Sequence, residues 1–217
     1  SPNAGNPQKV QRYPIEWARA LRKMAALGAE FLLPGHGVPV VGADRIKTAL
    51  LDTALLLESL HEQTVAMMNE GARLDEIIHT VKAPAELLEK PYLRPVYDEP
   101  EFVVRNVWRL YGGWYDGNPA SLKPAPDAAV ASELAALAGG ASVLADRAAA
   151  LAAAGDDESL RLAGNLAEIA ALAAPEDAGV HKVRAEVFGA RAEREASTMA
   201  KGVFAWAASE SKKKADE

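Results

Sequence analysis

Residues 46–68 have the sequence IKTALLDTALLLESLHEQTVAMM, the clearest helical signal in the chain. Positions that recur in alternating steps of four and three residues form one seam of a heptad pattern: Ile46, Leu50, Thr53, Leu57, Leu60, Thr64 and Met67. Further apolar residues widen that seam: Leu51, Ala54, Leu55, Leu56, Val65 and Met68. A helix that is apolar on more than one side must be covered on more than one side, so we predict a packed helix over about residues 43–70.

The sequence before this helix predicts a short α/β segment. Residues 14–28 have helical apolar spacing and end at a glycine. Residues 31–33 are an apolar run, followed directly by Pro34-Gly35-His36-Gly37-Val38-Pro39 and two valines. This order is typical of a strand, a tight glycine and proline loop, and then a helix.

After the long helix, residues 84–126 contain seven prolines, which divide them into extended pieces around one predicted helix at about residues 99–111. Aromatic side chains are concentrated there: Tyr92, Tyr97, Phe102, Trp108, Tyr111, Trp114 and Tyr115. A flexible linker would not hold so many aromatic residues, so we predict an ordered, packed segment.

From residue 127 onwards the chain is rich in alanine, and it predicts four helices, at residues 127–138, 141–154, 158–173 and 177–209. Small side chains let helix axes approach closely, which favours stacked helical hairpins. The arrangement is loosely similar to a tetratricopeptide array, although the roughly 34-residue period of that array is absent. The lysines at 212–214 are predicted to form a frayed, solvated end.

Composition and charge exclude several classes of function. The chain has 217 residues and a formal charge of −6, and this acidic balance argues against a nucleic-acid-binding protein. It contains no cysteine, which excludes disulfides, thiolate metal sites and a cysteine nucleophile. No apolar run approaches the ~18 residues of a membrane span. The chain opens on Ser1 without a Met or a signal-peptide pattern, so we expect a piece of a larger protein.

His36 is the strongest single candidate for chemistry, because it stands between two glycines on a loop after an apolar strand. Imidazole is the commonest metal ligand in proteins, but a turn histidine can also hydrogen-bond to its own backbone. One histidine does not make a zinc site, which needs three or four protein ligands. No partner ligand stands at metal spacing from His61, His79 or His181, and we interpret these three as structural.

The run Gly113-Trp114-Tyr115-Asp116-Gly117-Asn118-Pro119 places two large aromatic residues between glycines and a turn. It admits two interpretations. In the first, the rings fill a gap at a packed corner and glycine supplies a positive φ. In the second, Trp114 and Tyr115 form an aromatic wall against an apolar ligand.

These motifs together resemble a known family. Leu33-Pro34-Gly35-His36-Gly37-Val38-Pro39 looks like the last metal-ligand loop of a metallo-β-lactamase-fold hydrolase. The long helix and three later segments are similar to the helical dimerisation region of the alkyl sulfatases: Pro95-Val96-Tyr97-Asp98-Glu99, the Gly113–Pro119 run and Ala138-Gly139-Gly140-Ala141. The Gly113–Pro119 run is the most specific, because seven matched positions of mixed chemistry rarely recur by chance.

The resemblance implies a mainly α fold of stacked helical hairpins with a small α/β remnant. Residues 1–41 would be the end of a metallo-β-lactamase-like domain, residues 42–211 a helical dimerisation domain and residues 212–217 a tail. The intact protein would be a homodimer that hydrolyses alkyl sulfate esters with two zinc ions. Of the family's metal ligands only His36 is present, because this chain lacks the His-x-His-x-Asp-His motif and both glutamate ligand segments. We therefore expect the chain to be inactive without its missing catalytic part.

The resemblance also suggests residues for substrate binding. Lys9 and Arg12 could face the sulfate, since cationic donors favour that anion, or could form a solvated lead-in to the first helix. Trp114 and Tyr115 could line a tunnel for the alkyl chain. Two alternative functions stay open: a non-catalytic helical interaction module and an apolar-ligand carrier. The strand and Gly-His-Gly loop favour the enzyme piece, because a free-standing adaptor has no need of them.

Overall fold

The predicted central helix is present as α2, Ala43–Asn69. A computed structural model describes residues 2–217 and divides into two compact units after Leu122. In the first unit, α2 follows helix α1 (Pro14–Ala25) and a two-stranded antiparallel hairpin, in which β1 (Phe31–Leu32) pairs with β2 (Val40–Val41). Four further helices complete this unit: α3 (Leu74–Thr80), α4 (Ala85–Leu88), α5 (Pro100–Gly112) and α6 (Pro119–Leu122).

Helix α2 is covered on more than one side, as its sequence predicts. Both α1 and α5 pack against it. The buried face of α1 recurs at helical spacing through Ala18, Leu21 and Ala25, and these residues join the core with the heptad seam of α2. Leu56 and Leu57 of α2 are both fully buried although they are adjacent in sequence, which requires neighbours on two faces.

The second unit consists of five helices within the part of the chain that the structure describes: α7 (Asp127–Ala138), α8 (Ala141–Ala154), α9 (Asp157–Ala173), α10 (Ala178–Arg194) and α11 (Thr198–Asp216). Consecutive helices from α8 to α11 pack against one another, and many of the residues buried between α8, α9 and α10 are alanines. On α9, an added Cβ at Gly164 would lie 2.6 Å from Nη1 at the flexible end of the Arg191 side chain of α10. The mainly α prediction is confirmed.

Two predictions for the second unit are wrong in detail. The single helix predicted over residues 177–209 is two helices, because the chain leaves helical geometry at Glu195 and restarts at Ser197. The Ser197 hydroxyl caps α11 by accepting a hydrogen bond from the Ala200 N–H at 3.3 Å. The lysines at 212–214 do not form a frayed end, since α11 continues to Asp216.

Smaller corrections apply to the first unit. Helix α1 ends at Ala25, so Gly28 lies three residues beyond it, in a turn with φ of +65°. The short helices α4 and α6 start next to prolines in a segment that we predict as extended. Among residues 2–217, no single helix is long and apolar enough to cross a membrane; α7 and α8 satisfy that test only together, and they are bent by 85°.

Candidate functional site

The residues that sequence analysis selects lie on three pieces of the first unit: the N-terminal segment with Lys9 and Arg12, the hairpin loop with His36, and the loop after α5 with Trp114 and Tyr115. The structure ties the first and the third piece to helix α5. Among residues 2–217, no hydrogen bond connects the His36 side chain to either of them. The first and third pieces are therefore held by the same helix.

A buried carboxylate anchors the N-terminal segment to the start of α5. The Gly5 N–H donates to Asp98 Oδ2 at 2.6 Å, and the Glu99 N–H donates to Asp98 Oδ1 at 2.9 Å. Asp98 is fully buried, and this burial raises the pKa of its carboxyl group above the ordinary value, against the lowering effect of the backbone donors. An added Cβ at Gly5 would lie 2.1 Å from the Phe102 carbonyl carbon, so the backbone contact requires glycine.

Asn106 on α5 holds the same segment at a second place. Its side-chain Nδ2 donates to the carbonyl oxygens of Ala4 and Arg12, both at 2.8 Å. The Gln11 side chain in turn donates to the Asn106 carbonyl oxygen at 3.0 Å. Two parts of the chain about a hundred residues apart are thereby fixed to each other by one buried amide.

Lys9 and Arg12, the two cationic residues predicted to bind sulfate, have different environments. Lys9 is exposed, at a turn between the two anchor points. The Arg12 side chain is partly buried, and its Nε atom is buried without a hydrogen-bond partner within residues 2–217. The Asn3 Oδ1 atom is also buried without a hydrogen-bond partner among these residues. An unpaired guanidinium N–H is a donor that an anion or a water molecule can satisfy.

The loop after α5 is fixed at its base and exposed at its tip. The Trp108 indole N–H donates to the Tyr115 carbonyl oxygen at 3.0 Å, and the Leu74 N–H donates to the Asp116 carbonyl oxygen at 3.1 Å. Trp114 is 73% exposed, whereas Tyr115 is partly buried and meets Trp114 edge to face with ring centroids 6.5 Å apart. The packed-corner interpretation fits Tyr115, and Trp114 presents an aromatic surface to its surroundings.

His36 occupies the tip of the β1–β2 hairpin. Its side chain is exposed, and neighbouring Gly37 has a φ of +95°. No group of three or more His, Cys, Asp or Glu residues within residues 2–217 could hold a metal ion. The described residues therefore do not form a zinc site by themselves, and His36 could act only as one ligand among others that another segment supplies.

The first unit also contains a polar cleft of about 730 Å³ that the sequence does not indicate. It lies where the start of α3 faces α5 and the turn at residues 116–118. Basic, acidic and amide side chains line it: Arg73, Asp75, Glu76, Arg105, Asp116 and Asn118. Gly117 adopts a φ of +89° beneath the Arg73 side chain. The Gly-Asn-Pro motif suggests a turn here, but no sequence signal indicates that the start of α3 lies beside this turn.

Comparison with known proteins assigns the chain to a family. Residues 73–214 match the family model described as alkyl sulfatase dimerisation. A linear primary-alkylsulfatase of Pseudomonas sp. (strain ATCC 19151) is 38% identical over 130 residues, which cover 59% of this chain and 25% of that protein. An (R)-specific secondary-alkylsulfatase of Pseudomonas sp. is 40% identical over 98 residues, which cover 45% of this chain and 15% of that protein.

Solved structures agree with these matches. The stereoselective inverting sec-alkylsulfatase Pisa1 from Pseudomonas sp. superposes with a TM-score of 0.87 at 28% sequence identity, covering 96% of this chain and 33% of that chain. The chain therefore belongs to the alkyl sulfatase dimerisation family and carries its dimerisation domain. It spans a quarter or less of the length of these curated relatives.

Proposed function

We propose that this chain associates with a second copy of itself and thereby assembles a sulfate-ester hydrolase of which it is one portion. The observation that supports the proposal most directly is the family match over residues 73–214, which spans both compact units. The likeness of nearly the whole chain to a sec-alkylsulfatase supports the hydrolase assignment. On this proposal, the described residues supply the assembly surface, and the bond-breaking groups lie elsewhere in the protein.

Capture of an untagged chain together with a tagged chain tests self-association. A His-tagged and an untagged chain are expressed together, and the His-tagged chain is captured. The proposal predicts that the untagged chain is recovered with the tagged chain, in a smaller amount because pairs of two tagged chains are captured as well. Separately expressed chains that are mixed after purification serve as the control for slow exchange. Recovery of the tagged chain alone after co-expression would contradict the proposal.

For the intact protein, we propose that His36 supplies one ligand of a zinc centre. His36 lies at an exposed hairpin tip between two glycines, which leaves its imidazole accessible to a metal ion that residues of another segment also bind. In the full-length protein, His36→Ala should lower the zinc content measured by mass spectrometry of the metal. His79→Ala is the matched control, because His79 is also exposed and lies on α3. Unchanged zinc content in the His36 variant would remove this residue from the ligand set.

We also propose that Lys9 and Arg12 contact the sulfate group and that Trp114 and Tyr115 contact the alkyl chain. The unpaired Arg12 Nε and the exposed Trp114 ring support these roles. In the full-length protein, Arg12→Gln should raise KM for short and long alkyl sulfates equally, because both share the anion. Trp114→Ala should raise KM more for long chains, since each buried methylene contributes about 0.8 kcal/mol. An equal effect of Trp114→Ala on all chain lengths would contradict the proposed contact.

A further inference from the structure

One side-chain amide on α5 holds the backbone of Arg12 through both of its polar groups. Asn106 Nδ2 donates to the Arg12 carbonyl oxygen at 2.8 Å, and the Arg12 N–H donates to Asn106 Oδ1 at 3.4 Å. The Gln11 side chain donates to the same Arg12 carbonyl oxygen at 2.8 Å and to the Asn106 carbonyl oxygen at 3.0 Å. A primary amide offers both donors and an acceptor, so Asn106 fixes residue 12 much as a neighbouring β-strand would.

Asn106 is the polar member of the buried face of α5. The other buried residues of this helix are Val103, Val104 and Val107, and Asn106 itself is 8% exposed. A buried amide lowers stability unless its hydrogen bonds are made. The bonds of this amide go to main-chain atoms of residues 4 and 12. Its place on an otherwise apolar face is therefore explained by the N-terminal segment that it holds.

The Arg12 side chain continues from this fixed backbone into a partly buried place. Its Nε atom is buried and has no hydrogen-bond partner within residues 2–217. A side chain that is already held loses less freedom when it binds an anion. Lys9 differs, because its side chain is exposed and its N–H donates to the Asn6 carbonyl oxygen of the same turn at 3.3 Å. The contacts of α5 therefore position Arg12 rather than Lys9.

We infer that Asn106 is a positioning residue, which holds Arg12 where its guanidinium group contacts the sulfate of the substrate. The inference rests on the proposed sulfate contact of Arg12, and it adds the residue that preorganises this contact. Without the Asn106 amide, the backbone of residue 12 can move away from α5. A displacement of about 1 Å can weaken an oriented contact by up to about a hundredfold.

A double-mutant cycle in the full-length protein tests the inference, with octyl sulfate as the substrate. Arg12→Gln and Asn106→Ala should each raise KM about tenfold and leave kcat within about twofold of wild type, because the anion is bound equally in the ground state and the transition state. In the Arg12→Gln background, Asn106→Ala should raise KM by less than about twofold, since the group through which it acts is already gone. A merely structural residue would cause the same change in both backgrounds.

Gln63→Ala is the matched control. On α2, Gln63 Nε2 donates to the Lys82 carbonyl oxygen at 2.9 Å and Gln63 Oε1 accepts from the Lys82 N–H at 3.4 Å, which is the same pair of bonds. Its loss should leave KM unchanged. Circular dichroism checks that each variant is folded. If Asn106→Ala does not fold, the same cycle is measured with Gln11→Ala, which removes the donor shared by the Arg12 and Asn106 carbonyl oxygens.

The possible results separate this inference from the proposed function. If Arg12→Gln leaves KM at the wild-type value, the proposed sulfate contact fails, and the inference fails with it. If Arg12→Gln raises KM and Asn106→Ala does not, the sulfate contact stands and Asn106 does not position it. An equal rise of KM in both backgrounds would also overturn the inference, because Asn106 would then act on something other than Arg12. So would an equally large rise in Gln63→Ala.

Discussion

The buried carboxylate of Asp98 accepts a hydrogen bond from the Gly5 backbone N–H at 2.6 Å, across 93 residues of sequence. This contact ties the N-terminal segment, which bears the predicted sulfate-binding residues, to the first turn of α5. Asp98→Ala would leave the Gly5 N–H without its acceptor in a buried place. We expect a loss of about 1–3 kcal/mol in the free energy of unfolding, measured by chemical denaturation. Asp75→Ala, at an exposed carboxylate on α3, should change it by less than about 0.5 kcal/mol.

The same carboxylate predicts a pH dependence. Burial raises the pKa of Asp98 in the folded chain above its ordinary value, so folding favours the protonated carboxyl group. Its contribution to stability is fully present below the unfolded pKa and is lost as pH rises through the folded pKa. The wild-type free energy of unfolding should therefore fall relative to that of Asp98→Asn as pH rises from acid values to neutrality. A difference that stays constant over this range, or grows in favour of wild type, would contradict the assigned direction.

Gly5 gives a separate test of the same anchor. Gly5→Ala would place a methyl group 2.1 Å from the Phe102 carbonyl carbon, which is backbone and cannot rotate away. We expect the N-terminal segment to detach from α5, with faster cleavage of residues 2–12 by a nonspecific protease. Gly35→Ala is the control, because nothing lies within 4 Å of its added Cβ. Equal protection in the two variants would show that Gly5 does not make this contact.

His61 on α2 should titrate below its ordinary pKa. Its Nε2 lies 2.8 Å from the Tyr111 hydroxyl oxygen on α5, and burial is the largest cause of the lowered pKa. Nearby Arg19 on α1 lowers the pKa further, whereas Glu62 raises it. Folding therefore favours the neutral imidazole, and this contribution is lost as pH falls below 6.5. Proton NMR of the imidazole should show His61 titrating below the ordinary value of 6.5, and a titration at or above that value would contradict the assigned direction.

Arg184 is the charged centre of the second unit. Its Nε donates to Glu168 Oε2 at 2.8 Å, and its Nη1 donates to the Ser211 hydroxyl at 2.7 Å and to the Ala207 carbonyl oxygen at 3.1 Å. Arg184→Ala would leave buried acceptors of α11 without their donor. We therefore expect a loss of about 3 kcal/mol in the free energy of unfolding. Arg147→Ala, at an exposed position on α8, should cost less than about 0.5 kcal/mol. Similar values for the two variants would mean that Arg184 has no central role in packing.

Local sequence signals were sufficient to predict the positions of most helices. The pair Gly139-Gly140 separates α7 from α8 at the predicted residues, since Gly139 adopts a left-handed conformation that other residues avoid. The break at Glu195–Ser197 could not be predicted in the same way, because it contains neither glycine nor proline and depends on a serine cap. His181 is buried with both ring nitrogens hydrogen-bonded, as expected of a structural histidine.

The contacts that build the candidate site are the ones that sequence patterns could not reveal. Asp98 has the appearance of an ordinary acidic residue before a helix, and only the fold brings Gly5 to it. Asn106 lies on a helix whose apolar spacing says nothing about an amide that binds two distant carbonyl groups. The resemblance of the His36 loop to a metal-ligand loop is a local match, and within residues 2–217 no group of three or more His, Cys, Asp or Glu residues could hold a metal ion.

The mass of the chain in solution tests the central claim most directly. Light scattering behind a size-exclusion column, over a range of loading concentrations, should give twice 23.0 kDa with little change on dilution. That result would show that the dimerisation domain assembles without further segments of the protein. A mass of 23.0 kDa at every concentration would contradict the account, because the chain would then not associate with a second copy of itself.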